Sequence, residues 1–408
     1  PTLVIKYLGS KRRLVPVISA MARAVGARTA LDMFTGTTRV AQALKRDGTH
    51  VTAVDAASYS EVLAQAYVAT DADDLDTAEL DAEIDRLNHL AGTAGYVTEV
   101  FCNTARFFHP DNGARIDAMR DRIESDHPDT ALRPVLLASL LEAADRVDST
   151  TGVQMAYLKT WAPRALRPIE LRRPELLAGE GAAVRGDAAQ LAGRLGPFDF
   201  AYLDPPYNQH RYFTNYHVWE TLVRWDSPAH YGIACKRADC REAATGSDFN
   251  RRSLITGALR RVVGEVEAHL LVLSYNDESF LDLEELVEMC ADRGSLQVLG
   301  FDQRRYVGAQ IGIHAPNGAK VGTVGRLRNV EWMVVCGPRD AVRAATEAAA
   351  AARPAAPARP VRVGPGTSRQ PVPGRASSLV HGPLRDDPGG GRAPSCNKRP
   401  GIWERRSW

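Results

Sequence analysis

The stretch that most constrains this 408-residue chain is Phe198–Leu203, FDFAYL, which runs directly into Asp204-Pro205-Pro206-Tyr207. The run is apolar apart from Asp199 and has the length of a strand buried on both faces of a sheet. Two successive prolines offer no backbone N–H, so a sheet ladder that reaches Leu203 has to end there. Asp204 and Tyr207 are thereby held at the carboxyl end of a strand. In an open α/β sheet that end is where ligands bind.

The chemistry open to the tetrapeptide follows from its groups. The Asp204 carboxylate and a proline carbonyl beside it are acceptors with no competing donor. An exocyclic amino group of a nucleobase presents two N–H donors to such a pair. Held by both acceptors, its nitrogen turns a lone pair toward an electrophile, and Asp204 stabilises the positive charge that develops on alkylation. Tyr207 supplies a flat face for the base. The plain alternative is a strand that happens to end in an Asp-Pro turn. At average composition the tetrapeptide arises by chance in a chain of this length on the order of once in a thousand times.

Upstream, Thr29–Leu44 reads as a short strand (Ala30, Leu31) leading to Asp32, a turn Phe34-Thr35-Gly36-Thr37-Thr38, and a helix from Val40. That is the opening of a nucleotide-binding βα unit. One glycine makes a poor cradle for pyrophosphate, so a ligand without phosphates, such as S-adenosylmethionine, fits better than a dinucleotide. His50–Asp55 is a second strand ending in an acid, 19 residues beyond Gly36. Asp55 is placed to accept from ribose hydroxyls, or alternatively to cap the helix predicted over Ser58–Val68. Val184-Arg185-Gly186-Asp187 resumes the α/β pattern. Between the halves lies a mostly helical insert: an acidic helical stretch Asp71–Leu90, a loop Phe107–Gly113, and helices over Ala114–Ile123 and Ala131–Val147. It is too long for an ordinary βα connection and reads as a separate lobe. Within it Arg146, Thr150, Thr151, Lys159 and Arg164 are candidate DNA contacts. Lys236, Arg237, Arg241, Arg251 and Arg252 form a second basic loop.

The net charge of +2 conceals an asymmetry: residues from Ala341 on carry 12 Lys+Arg against 4 Asp+Glu, so the body before them is mildly acidic. Nucleic-acid binding must therefore come from local clusters. Ten of the 24 prolines also lie beyond Ala341, and that tail reads as disordered. The six cysteines form no CxxC or zinc-type spacing. With no apolar span and no signal-peptide pattern, a cytoplasmic protein is expected, without metal or membrane.

Taken in order, Lys6-Tyr7-Leu8-Gly9-Ser10-Lys11, Asp32-Met33-Phe34-Thr35-Gly36, Asp55, the helical insert, Asp187 and Asp204-Pro205-Pro206-Tyr207 resemble the D12, Dam-like class of N6-adenine DNA methyltransferases. The resemblance covers about Ile5 to Gly337, the insert matching only in kind. It implies an α/β, Rossmann-like, S-adenosylmethionine-dependent methyltransferase sheet with an inserted, mainly helical target-recognition lobe and a disordered C-terminal tail. The catalytic domain would be residues 1–70 and 181–338, the insert 71–180, the tail 339–408. Asp204, Pro205, Pro206 and Tyr207 would hold the target adenine. Tyr7, Lys11, Asp32, Phe34, Gly36, Asp55, Asp187 and Asp204 would line the cofactor site. Double-stranded DNA is the implied partner of a monomer, with a cognate restriction endonuclease as a second. One departure stands out: Thr38 replaces the small residue common after the glycine turn, and would narrow the cofactor pocket. The alternatives are methylation of RNA adenine or of cytosine N4, and a non-catalytic DNA-binding protein of the same fold. A dehydrogenase lacks its glycine-rich fingerprint.

Overall fold

A computed structural model describes residues 5–7, 9, 11–150, 152–209, 211–304, 313–314, 320–322 and 328–352 of the chain. Seven strands form one sheet: β1 (Thr29–Met33), β2 (His50–Asp55), β3 (Gly181–Arg185), β4 (Phe198–Leu203), β5 (Ala268–Asn276), β6 (Ser295–Arg304) and β7 (Arg328–Gly337). Their order is β3-β2-β1-β4-β5-β7-β6. The first five are parallel, and β7 runs antiparallel between β5 and β6. The strand order reverses between β1 and β4, the switch point at which open sheets bind ligands. β4 ends at Leu203, where the prolines begin.

Alternation along each central strand sorts its residues between two cores. Phe200, Tyr202, Leu270, Val272, Met333 and Val335 face one core. Ala201, Leu203, Leu271, Leu273, Val334 and Cys336 face the other. That period of two is the ordinary consequence of pleating, and burial on both faces is why these strands are almost wholly apolar. The first core is covered by α1 (Val15–Ala24), α2 (Arg39–Arg46), α3 (Ser58–Ala64) and helices of the insert. α3 passes into a π-helical turn over Gln65–Ala69.

The insert contains α4 (Thr77–Asn88), a π-helical segment Val97–Thr104, α5 (Pro110–Asp126) and α6 (Leu132–Arg146). The expected loop Phe107–Gly113 is shorter than the sequence suggested. Pro110 sits in the first turn of α5, where its missing N–H costs nothing, and the His109 side chain accepts from the Asp111 N–H. Nor is the insert a separate lobe. Twelve of the 15 residues of α6 are buried, so this helix needs neighbours all round. It finds them in α3 and in α7 (His217–Arg224), and Tyr59, Tyr67, Phe101, Leu136, Leu140 and Trp219 belong to one continuous core. Tyr67 donates to Glu142 across that contact.

α8 (Ile255–Glu265) and α9 (Leu283–Cys290) cover the second core. The first residues of the tail expected from 339 are helical. Arg339–Ala351 is a helix, α10, which buries Val342, Ala345, Thr346 and Ala349 on one face against α1. Alanine is the best helix former, so what looked like collapsed composition is in part a helix. The remainder of the tail, and most of the Gly-rich stretch Ala315–Gly325, lie outside the described residues. Among the described residues no helix is long and apolar enough to cross a membrane.

Candidate functional site

The carboxyl ends of β1–β4 open into a cleft of about 430 Å³, within the roughly 300–1,000 Å³ typical of small-molecule sites. Each strand contributes the residues just beyond its end. β1 supplies Phe34, held at φ +68 and packed edge-on against Phe249 at 4.9 Å. β2 supplies Asp55, β3 supplies Asp187, and β4 supplies Asp204 to Tyr207. The wall opposite is built from Tyr212, Glu220 and the loop Ala244–Asn250.

Asp204 lies at the meeting of two elements far apart in sequence. Lys11, just before α1, places its ammonium 3.0 Å from Asp204 Oδ1 and also bonds to Glu331 Oε1 on β7. Ser274 on β5 donates to the same Glu331 oxygen at 2.6 Å. The Asp204 side chain keeps 19% of its surface exposed, against 4% for Glu331, so of the two carboxylates Asp204 is the one the cleft can reach. Burial pushes the Asp204 carboxyl up to about 6; Lys11 opposes that rise and Glu331 adds to it. Burial alone would lower Lys11, but Asp204 and Glu331 outweigh it and hold the ammonium charged. Tyr207 sits edge-on to Tyr275 at 6.1 Å, and its carbonyl accepts from the Phe280 N–H, which fixes the loop after the prolines.

The expected cofactor residues divide by position. Tyr7, Phe34, Asp55, Asp187 and Asp204 line the cleft; Lys11, Asp32 and Gly36 stand behind its wall. Asp55 accepts from the Gly36 N–H at 2.9 Å and from the Ala57 N–H at 3.0 Å. It therefore locks the β1 turn to the end of β2 while it faces the cavity, and burial raises its carboxyl. Asp32 is 2% exposed and accepts from the Thr35 hydroxyl at 2.7 Å and the Ala41 N–H at 3.0 Å. Its work is to shape the turn, and burial raises its carboxyl to about 7. Gly36 has φ +54, and a Cβ there would lie 3.0 Å from the Tyr7 ring. Tyr7 in turn stacks on Tyr216 at 4.7 Å and on Tyr212 at 5.3 Å. Asp187 caps the short helix Ala188–Leu191 by accepting from the Ala189 N–H.

Thr38 does not narrow the cleft. It is fully buried at the start of α2, its hydroxyl donating to the Thr37 carbonyl and accepting from Gln42. Several candidate DNA contacts are also engaged with other groups of the protein, although Arg241 stays exposed and Arg146 and Arg164 partly so. Arg164 forks onto Asp148, Thr150 bonds to the same carboxylate, and Arg146 donates to the Glu170 carbonyl. Arg237 is buried between Asp226 and Asp239, and Arg241 lies 3.7 Å over the Tyr231 ring. Lys159, Arg251 and Arg252 remain exposed; Thr151 lies outside the described residues. Among the described residues no cluster of His, Cys, Asp or Glu is arranged to hold a metal.

Two acids of the site were missed from sequence. Glu220 on α7 is 2% exposed and accepts from the Ser58 and Tyr59 N–H groups, capping α3 from outside. Glu331 is the other. Its signal was present in the sequence as an acid opening an otherwise apolar strand, Glu331-Trp332-Met333-Val334-Val335.

Several known proteins are similar to this chain over most of its length. Type II methyltransferase M.NlaIII of Neisseria lactamica is 28% identical over 316 residues, covering 74% of this chain and 92% of that relative. Modification methylase StsI of Streptococcus sanguinis is 30% identical over 302 residues, 70% of this chain and 46% of its own length. Modification methylase LlaI of Lactococcus lactis subsp. lactis is 27% identical over 328 residues, 74% of this chain and 51% of its own. The chain thus spans nearly all of the first relative and about half of the other two. The family model for D12 class N6 adenine-specific DNA methyltransferase matches residues 7–289.

Proposed function

Because the chain belongs to the D12 class of N6 adenine-specific DNA methyltransferases, we propose that its cleft binds S-adenosylmethionine beside a flipped-out adenine, and that Asp204-Pro205-Pro206-Tyr207 is where the two meet. One observation carries this reading: Asp204, gripped by Lys11, faces a single cleft together with Phe34, Asp55, Asp187 and Tyr207.

The lining suits the donor. Phe34 and Phe249 offer apolar faces to an adenine ring, and Asp55 keeps a carboxylate within reach of ribose hydroxyls. Tyr7 lines the cleft and packs on Gly36 of the turn behind it. When bound, S-adenosylmethionine supplies a methyl group on a sulfonium, the C–S electron pair staying with sulfur. The rest is work for the chain's own residues. The Asp204 carboxylate and the Pro205 carbonyl accept the two N6 hydrogens and aim the nitrogen lone pair. Tyr207 stacks on the base and keeps it out of the helix. As the N–C bond forms, positive charge appears on N6 beside Asp204, which stabilises it there. The cationic amine then sheds a proton to solvent, so no strong base is needed.

The insert and the exposed Lys159, Arg251 and Arg252 are assigned to contact with double-stranded DNA. The names of the type II and modification relatives support a place in a restriction-modification system, and we propose a monomer that acts in the cytoplasm beside a cognate endonuclease. Asp204→Ala is expected to abolish transfer of tritiated methyl groups to DNA while DNA binding and Tm stay close to wild type. Retained turnover would sink the assignment. Methylome sequencing of a methylase-free host expressing the chain reports base, position and context together.

A further inference from the structure

We infer that Glu331 is a positioning residue for methyl transfer: by sharing Lys11 with Asp204 it leaves one uncompensated negative charge at the place where N6 becomes cationic. The inference rests on the adenine-methylating reading above and adds to it a residue from β7, beyond the span of the family match.

Consider the site without Glu331. Lys11 Nζ lies 3.0 Å from Asp204 Oδ1, and a lysine–carboxylate pair at that distance is neutral overall. A neutral pair stabilises a nearby developing cation far less than a carboxylate does, because the ammonium repels what the carboxylate attracts. Yet Lys11 cannot simply be dispensed with, since its contact holds Asp204 at the mouth of β4. Glu331 resolves the conflict. Its carboxylate bonds to Lys11 from the side away from the cleft and takes a second hydrogen bond from Ser274. Two carboxylates now face one ammonium, and the trio carries a net charge of −1 when all three are ionised. The exposed member is Asp204, so the surplus is presented to the cleft.

Among the described residues the neighbours do not cancel it. Tyr202, Tyr207 and Tyr212 are the nearest titratable groups, and burial first of all raises each hydroxyl, which keeps them neutral. Glu278 beyond Tyr207 adds negative charge, and Asp32 on β1, whose carboxyl burial raises to about 7, adds none while it is protonated. Of the three arginines lining the cleft, Arg185 pairs with Glu61, Arg224 pairs with Glu220 and Asp239, and Arg211 donates to the Cys240 carbonyl rather than to Asp204. Glu331 is 3% exposed and sits opposite Asn276 in the sheet, a position where a carboxylate is costly unless it is used.

The test is the pH profile of single-turnover methyl transfer in Glu331→Gln, an isosteric change that keeps an acceptor for both Lys11 and Ser274. Two changes are expected together. The plateau rate falls about tenfold, and the acid limb moves to lower pH, because Asp204 no longer has a second carboxylate beside it. Affinities for S-adenosylmethionine and DNA stay within about twofold of wild type. Lys11→Met is the counterpart: it removes the cation and moves the limb to higher pH, and it keeps the test open should Glu331→Gln fail to fold. A lower rate with an unmoved limb in Glu331→Gln would reduce Glu331 to packing, and an unchanged rate would remove it from the reaction. If only Lys11→Met folds, an unmoved limb there overturns the inference. Wild-type protein that transfers no methyl group to adenine would overturn the parent reading instead.

Discussion

At the scale of single residues, the site is a set of buried carboxylates whose protons respond to pH in a definite direction. Asp204 has its carboxyl raised to about 6, mainly by burial. Methyl transfer should therefore fall as pH drops through about 6, because the protonated acid loses an acceptor and its charge; a flat profile from pH 8 to 5 would contradict the role. Asp32 carries the corresponding statement about stability. Burial raises it to about 7, above its unfolded value near 3.9. Its contribution is thus fully present below the unfolded pKa and is lost as pH rises through about 7, each unit of difference being worth about 1.4 kcal/mol. Asp32→Asn keeps an oxygen for Thr35 and Ala41, and should flatten the decline of Tm between about pH 4 and 7. If that slope is unchanged, Asp32 is not the buried acid described here. Asp55 and Asp204 were legible in the sequence because each follows a recognisable strand. Glu220 was not, since an acid inside a helix gains meaning only once its burial is known, and Glu331 showed only as an acid at the head of an apolar run.

At the scale of elements, the strands could be read and the helix boundaries less so. His50–Asp55 and Phe198–Leu203 match the expected ranges, because turn residues and prolines close those runs abruptly. The helix α5 was read as starting at Ala114 because His109-Pro110-Asp111-Asn112-Gly113 has loop composition, although proline and an acid are what a first turn prefers. α8 and α9 gave too short a periodic signal to be recognised. The turn between β1 and α2 was placed correctly, but its partner was not. Gly36 lies against Tyr7, a residue of the N-terminal segment, and Tyr7 is itself wedged among Tyr59, Tyr212 and Tyr216. Gly36→Ala adds a methyl group 3.0 Å from that ring, at a φ of +54 that costs an L-residue about 1 kcal/mol or more. The Tyr7 ring is packed against three tyrosines, so either it or the turn must shift, and both border the cleft. We expect weaker binding of S-adenosylmethionine by calorimetric titration, with DNA affinity unaffected. Equal cofactor affinity in the variant would show that the turn tolerates the side chain and that Tyr7 does not fix it.

At the scale of the whole molecule, the sequence divided the chain more sharply than the structure does. An insert too long for an ordinary βα connection suggested a new lobe, but α6 is buried around nearly its full circumference and draws the insert into the core of the sheet. The tail was divided too early for a related reason. Composition rich in Ala, Arg and Pro marks disorder on average, yet Val342, Ala345, Thr346 and Ala349 recur at helical spacing and close over α1. That contact has a consequence for the site. α1 begins four residues after Lys11, whose ammonium grips Asp204, so whatever steadies α1 steadies the lysine. Two truncations separate the parts. A chain ending at Ala352 keeps α10 and should match the full chain in Tm and in methyl transfer. A chain ending at Pro338 uncovers the α1 face that Val342 and three small residues bury, worth roughly 2–4 kcal/mol, and should melt several degrees lower. Its rate of methyl transfer should fall by more than the loss of folded protein explains, because Lys11 loses its backing. If the two truncations behave alike, α10 is an ornament and the grip on Asp204 is secured by Glu331 and the sheet alone.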